Sequence, residues 1–137
     1  MAYDPFLESN NCNRVCRKLK FIKILGKGNY WQECLVLEVL QDCNIGMHVV
    51  IKATFSDSSE EYLDCKDVYW FSQQNAKEGD LIWLYSCTGD DGVLIENSKI
   101  TIHTLFWGLP AAIWSNGADV VVLAEATDVF GKTVETL

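Results

Sequence analysis

Apolar and polar positions alternate along most of this chain, with a period near two rather than 3.6. Leu19–Leu25 reads Leu-Lys-Phe-Ile-Lys-Ile-Leu and stops at Gly26-Lys27-Gly28-Asn29, a cluster that supplies the positive-φ residues of a turn. From Trp31 to Leu40, Leu35, Leu37 and Val39 fall on one face, and Cys34, Val36, Glu38 and Leu40 on the other. After a turn at Asp42–Gly46, Val49, Ile51, Ala53 and Phe55 alternate with Val50, Lys52 and Thr54. Val68–Phe71 reads as a short aromatic strand. Glu78-Gly79-Asp80 turns into Leu81–Tyr85, which is apolar on both faces, as a central strand is. Asp90-Asp91-Gly92 is another turn. In Ile100–Trp107, Ile100, Ile102, Thr104 and Phe106 oppose Thr101, His103, Leu105 and Trp107. Pro110 ends that ladder because it has no N–H to donate. Asn116–Gly117 predicts a tight turn in left-handed conformations, Val120–Ala124 a last strand and Asp128–Gly131 a closing turn.

Seven or eight strands at this spacing predict an all-β fold, a sandwich or a barrel. Residues 1–18 lack the alternation and are rich in Asn and Arg, so they read as an N-terminal arm on a single domain spanning 19–137. Ser56–Asp67 is polar and acidic and reads as a loop. Its carboxylates lack the alternating spacing of a calcium loop, so a solvated face is the better reading.

Composition sharpens this. The chain has 137 residues, enough for one domain whose core needs no disulfide or metal to fold. The net charge is −8, but it is divided unevenly. Six of the eleven Lys and Arg lie between Arg14 and Lys27, so residues 1–27 carry +4 and residues 28–137 carry −12. A body of that sign repels nucleic acid, so only the basic strip is suited to phosphate. No apolar run approaches the ~20 residues of a membrane helix, and the acidic start does not resemble a secretory leader. The expected setting is cytoplasmic, or an assembly formed from the cytoplasm.

Candidate chemistry is sparse. Cys12, Cys16, Cys34, Cys43, Cys65 and Cys87 are even in number, but without a secretory context they read as thiols. Cys12 and Cys16 are the only near pair, and His48 and His103 stand far apart, so neither a zinc set nor a nucleophile motif is evident. His103 reads as a face residue of a strand rather than a base. Gly26-Lys27-Gly28 is a turn between strands, not a phosphate loop. No cofactor or metal is expected.

The stretch Thr104–Ala126, which contains Trp107, Gly108, Trp114, Asn116, Gly117 and Asp119, resembles the closing motif of lamin tail domains. There an aromatic strand leads to a Trp-x-Asn-x-x-Asp turn, an apolar strand and a glycine-bearing turn. Glu33–Val39 is similar to that family's Glu-containing second strand, and Glu78–Tyr85 to its Gly-initiated middle strand. The likeness extends over residues 19–134, and the family's Gly-Trp pair after the second strand has no counterpart here. It implies a single immunoglobulin-like β-sandwich of about seven to eight strands, an attachment module with no catalytic centre and no one shared ligand. In the turn itself, Asp119 is placed to accept backbone N–H bonds. Trp107 and Trp114 are large enough to plug the end of the core or to anchor an interface.

The function expected from these features is non-enzymatic. The chain reads as a protein–protein interaction or structural module, a small accessory subunit of a larger assembly such as a virion. Its partner would be another protein or copies of itself, with no nucleic acid on the body and no membrane. Arg14, Arg17, Lys18, Trp107 and Trp114 are the candidate partner-binding residues, and Asn116, Gly117 and Asp119 the structural turn. The alternative is an acidic inhibitor, of the immunity or anti-restriction type, that binds a basic target.

Overall fold

The computed structural model describes residues 18–56, 59–97 and 99–136. Of the expected N-terminal arm, all but Lys18 lies outside the described residues, and so do Arg14 and Arg17. Among those described the protein is all-β, with ten strands: β1 (Leu19–Leu25), β2 (Cys34–Val39), β3 (Cys43–Asn44), β4 (His48–Ser56), β5 (Ser59–Trp70), β6 (Asn75–Ala76), β7 (Leu81–Tyr85), β8 (Gly92–Glu96), β9 (Ile100–Phe106) and β10 (Val120–Glu125). They form a five-stranded sheet of order β1-β2-β7-β9-β8, a three-stranded sheet of order β10-β4-β5 and a small β3-β6 ladder. Pairing is antiparallel except between β7 and β9, which run parallel because β8 intervenes in the chain and returns to the sheet edge.

β2 and β7 are the centre of the larger sheet, and their composition explains it. Leu35, Leu37 and Val39 of β2 stand beside Ile82 and Leu84 of β7 and Leu105 of β9. All six are buried in one core cluster that also takes Val50 of β4 and Phe71, with Tyr69, Val121 and Leu123 packed against it. The three-stranded sheet therefore shares its core with the five-stranded one. The opposite face of the larger sheet is also largely covered. Cys34, Val36 and Ile102 are buried there beside Trp83, Tyr85 and Phe106, with Tyr85 and Phe106 stacked at 5.1 Å and 13°. Gly89 crosses the Phe106 ring so closely that an added Cβ would lie 2.5 Å from it.

One ion pair ties the two sheets and another lies within the smaller one. Lys18 reaches Glu125 of β10 at 2.8 Å, and Lys52 of β4 reaches Asp119 at 3.4 Å. Lys18 also accepts a hydrogen bond from the Leu40 amide, so its backbone joins the edge of the larger sheet.

Three local expectations are corrected. The stretch expected to be a loop is largely strand: Ser56 ends β4, and from Ser59 onward the residues belong to β5, which runs twelve residues to Trp70. Among the described residues β5 pairs only with β4, and an edge strand with a solvated face tolerates the polar composition that suggested a loop. The Asn116–Gly117 turn uses no left-handed residue, since positive φ among the glycines is confined to Gly26, Gly28, Gly79 and Gly108. The Asn116 side chain shapes the turn instead, its Oδ1 accepting the Ala118 amide at 3.0 Å while its carbonyl accepts the Asp119 amide at 3.0 Å. The Asp119 carboxylate faces Lys52 rather than the turn's own N–H groups.

None of the described helices is long and apolar enough to cross a membrane. Leu37, fully buried at the centre of the shared core, gives the direct test of this packing. Leu37→Ala is expected to cost about 2–5 kcal/mol, read as a lower urea midpoint with an unchanged m-value. A loss below about 1 kcal/mol would mean that the two sheets do not close on this position.

Candidate functional site

The polar chemistry of the described residues gathers in two places, and both begin with a residue just outside a strand. Glu33 immediately precedes β2, and its backbone carbonyl accepts the Ser86 amide at 3.2 Å, which extends the β2–β7 ladder by one pair. The side chain therefore turns inward, and it is fully buried. The carboxylate takes Ser86 Oγ at 2.5 Å and the Ile113 amide at 2.8 Å on Oε1, and the Gly28 amide at 2.8 Å and the Trp114 amide at 3.1 Å on Oε2. Burial alone would push its pKa up. The hydrogen bonds from Ser86, Gly28, Ile113 and Trp114 outweigh that and hold it below the ordinary 4.5. Gly26 and Gly28 make the approach workable. Both have positive φ, and a Cβ on Gly26 would lie 2.9 Å from the backbone of Gln32.

The second place is at the β6–β7 turn. His103 of β9 is on the core side of its strand, as the alternation predicts. Its Nε2–H donates to Asp80 Oδ2 at 2.9 Å, and its Nδ1 accepts from Gln74 Nε2 at 2.6 Å. Asp80 Oδ2 also accepts the Lys77 amide at 2.9 Å, and Gln74 is held by its own amide on Asn44 Oδ1 at 3.1 Å. An Asp–His pair of this kind suits general base catalysis only when the second ring nitrogen faces a substrate. Here that nitrogen is occupied, and the pair works as a cross-brace between β9, the β6–β7 turn and the segment after β5. His48 is also buried. It sits against the Ile45 carbonyl through Nδ1 at 3.1 Å, and its Nε2 has no partner among the described residues.

Cys12 and Cys16 lie outside the described residues. Cys34 and Cys87 are buried, and Cys65 is exposed. Burial, with Cys87 nearby, pushes the Cys34 pKa up to about 12, so it is protonated at neutral pH and a poor nucleophile. Among the described residues no three His, Cys, Asp or Glu side chains gather where a metal ion could be held.

The candidate binding residues are dispersed. Trp114 is 5% exposed and belongs to the core cluster. Trp107 is partly buried, edge-on to Trp114 at 6.2 Å and tilted against Tyr69 at 5.7 Å. Lys18 is engaged with Glu125. The sequence reading did not single out the outward-facing apolar side chains, Val68 and Trp70 on β5 and Val93, Leu94 and Ile95 on β8. The run Val93-Leu94-Ile95 between two turns was the signal available for β8. Comparison of the chain with known protein families, curated proteins and solved structures yields no match.

Glu33 gives a prediction with a sign. Its folded pKa is depressed, so its contribution to stability is full above the unfolded value of 4.5 and is lost as pH falls through the lower folded value. Glu33→Gln is expected to cost about 2–4 kcal/mol at pH 7, because it leaves buried N–H donors facing an amide N–H₂. The gap between wild type and variant should close as pH falls below 4.5. Urea titrations at pH 7 and at acid pH measure both, and a gap independent of pH would sink the assignment.

Proposed function

We propose that this protein is a non-enzymatic interaction module: an immunoglobulin-like β-sandwich acting as a small accessory subunit of a larger assembly. The supporting observation is where its polar and apolar groups go. The Glu33 carboxylate and the His103 ring spend their hydrogen bonds inside the fold, while large apolar side chains stand outward on β5 and β8. Exposed apolar strands on a rigid body mark surfaces that meet other chains. The resemblance to lamin tail domains supports the sandwich arrangement and an attachment role.

The charge division supplies the polarity of the assembly. Residues 1–18, with Arg14 and Arg17, carry +1 and precede a domain that carries −9 over residues 19–137, so the arginines of one subunit are matched in sign to the domain of the next. Lys18 takes a smaller part, because Glu125 of its own chain already holds it.

Reversing both charges, Arg14→Glu with Arg17→Glu, should leave the unfolding midpoint within about 0.5 kcal/mol of wild type. It should also weaken association in a salt-sensitive manner, measured by sedimentation at two ionic strengths. Association that is unchanged in the double variant would remove the arm from this reading. Binding of a basic target that weakens steeply with salt while the arm is irrelevant would favour the acidic-inhibitor alternative.

A further inference from the structure

Among the described residues β8 is the outer strand of the five-stranded sheet and pairs only with β9. Natural edge strands are blunted by Lys, Pro, bulges or a covering segment. Gly92–Glu96 carries neither Lys nor Pro, pairs with β9 without a register shift, and all five of its residues are exposed. Val93, Leu94 and Ile95 are 53%, 54% and 69% exposed. No other described strand joins this edge, and an unpaired strand edge flanked by apolar side chains is the geometry that another strand adds to.

The sequence of this edge selects its partner. Laid antiparallel against itself about Leu94, the strand puts Leu94 opposite the other copy's Leu94, Val93 opposite Ile95, and Gly92 opposite Glu96. Residues directly opposite share a sheet face, so apolar meets apolar on both faces. The only charge in the strand, Glu96, meets a glycine. Beyond the strand ends, the acidic Asp90–Asp91 turn lies toward the other copy's Lys99, opposite in sign. A two-fold interface needs a patch complementary to itself, and this five-residue edge meets that condition in one register.

We propose that the protein dimerises through β8, joining two five-stranded sheets into one continuous ten-stranded sheet across a two-fold axis at Leu94. This rests on the reading of the chain as an interaction module and names one of its contacts.

Sedimentation equilibrium of the full chain tests it, with wild type, Leu94→Lys, Gly92→Lys and the Arg14→Glu/Arg17→Glu double variant. Wild type should show a concentration-dependent dimer. Leu94→Lys places two like charges face to face on the axis and should weaken it at least about tenfold; the side chain is already half exposed, so the fold should be retained. Gly92→Lys faces the partner's Glu96 twice and should tighten the dimer about threefold or more. The site has room, since the nearest atom to an added Cβ is Thr104 Oγ1 at 3.5 Å. This gain is specific to the register, and a loosely apolar contact would not produce it. Wild type monomeric at the highest soluble concentration overturns the strand pairing, as does a dimer indifferent to both β8 substitutions. If the dimer survives Leu94→Lys but is lost in the arginine double variant, the pairing is overturned while the interaction reading stands. If wild type is monomeric and binds nothing through the arm, both fail.

Discussion

A fully buried carboxylate without a cation beside it is the constraint from which much of this architecture follows. Taking Glu33 out of water costs several kcal/mol unless every lone pair finds a donor, and its four donors come from three distant parts of the chain. Gly28 belongs to the β1–β2 turn, Ser86 follows β7, and Ile113 and Trp114 lie between β9 and β10. Satisfying one carboxylate therefore fixes how the turn closes, where β7 ends and where the long connection after Pro110 returns. The same return delivers the Trp114 ring into the core, against Trp107. Polar satisfaction and apolar packing here are a single event, which makes the node cooperative: losing any one strut exposes the others.

The two sheets stand differently toward solvent. The larger one is buried on its core face and largely covered on the other, where Cys34, Val36 and Ile102 lie beside Trp83, Tyr85 and Phe106. The smaller one covers the core with Val50, Tyr69, Phe71, Val121 and Leu123 and turns Val68 and Trp70 outward. Lys18–Glu125 joins the two sheets through partly exposed groups and adds little energy, whereas Lys52–Asp119 is largely buried and joins β4 to the residue before β10 within the smaller sheet. The His103–Asp80–Gln74 brace does comparable work at the β6–β7 turn with neutral and charged hydrogen bonds.

The strands that could be read from the sequence are those with a buried face. Leu35, Leu37 and Val39 declared β2, and the two-sided apolar run of Leu81–Tyr85 declared a central strand, because burial enforces the pattern that periodicity detects. β5 was hidden for the opposite reason: as an edge it may be acidic and still pair, and its polar residues imitate a loop. β8 was hidden by its brevity between two turns. The parallel β7–β9 pairing had no local signature, since direction is set by where β8 goes. Glu33 lay inside the segment similar to the lamin tail second strand, but its role depends on amides eighty residues away, and amides carry no side-chain signal. The turn at Asn116 was legible as a turn, while its mechanism, an Asn oxygen rather than a left-handed glycine, was not.

The division of charge also bears on which contacts between copies are tolerable. Two domains at −9 over residues 19–137 repel one another broadly, and at physiological salt that repulsion reaches only ~8 Å. An apolar edge such as β8 on a neutral protein would invite pairing with any exposed strand. On an acidic one, pairing succeeds only where the local charges are already arranged to relieve the repulsion. The antiparallel alignment about Leu94 does this, bringing each acidic Asp90–Asp91 end toward a Lys99 end and setting Glu96 against glycine. A parallel alignment would place Glu96 against Glu96 and the Asp pair against itself. The acidity of the body and the bareness of the edge thus work together: one discourages unselective association, and the other leaves a single register in which association is favoured.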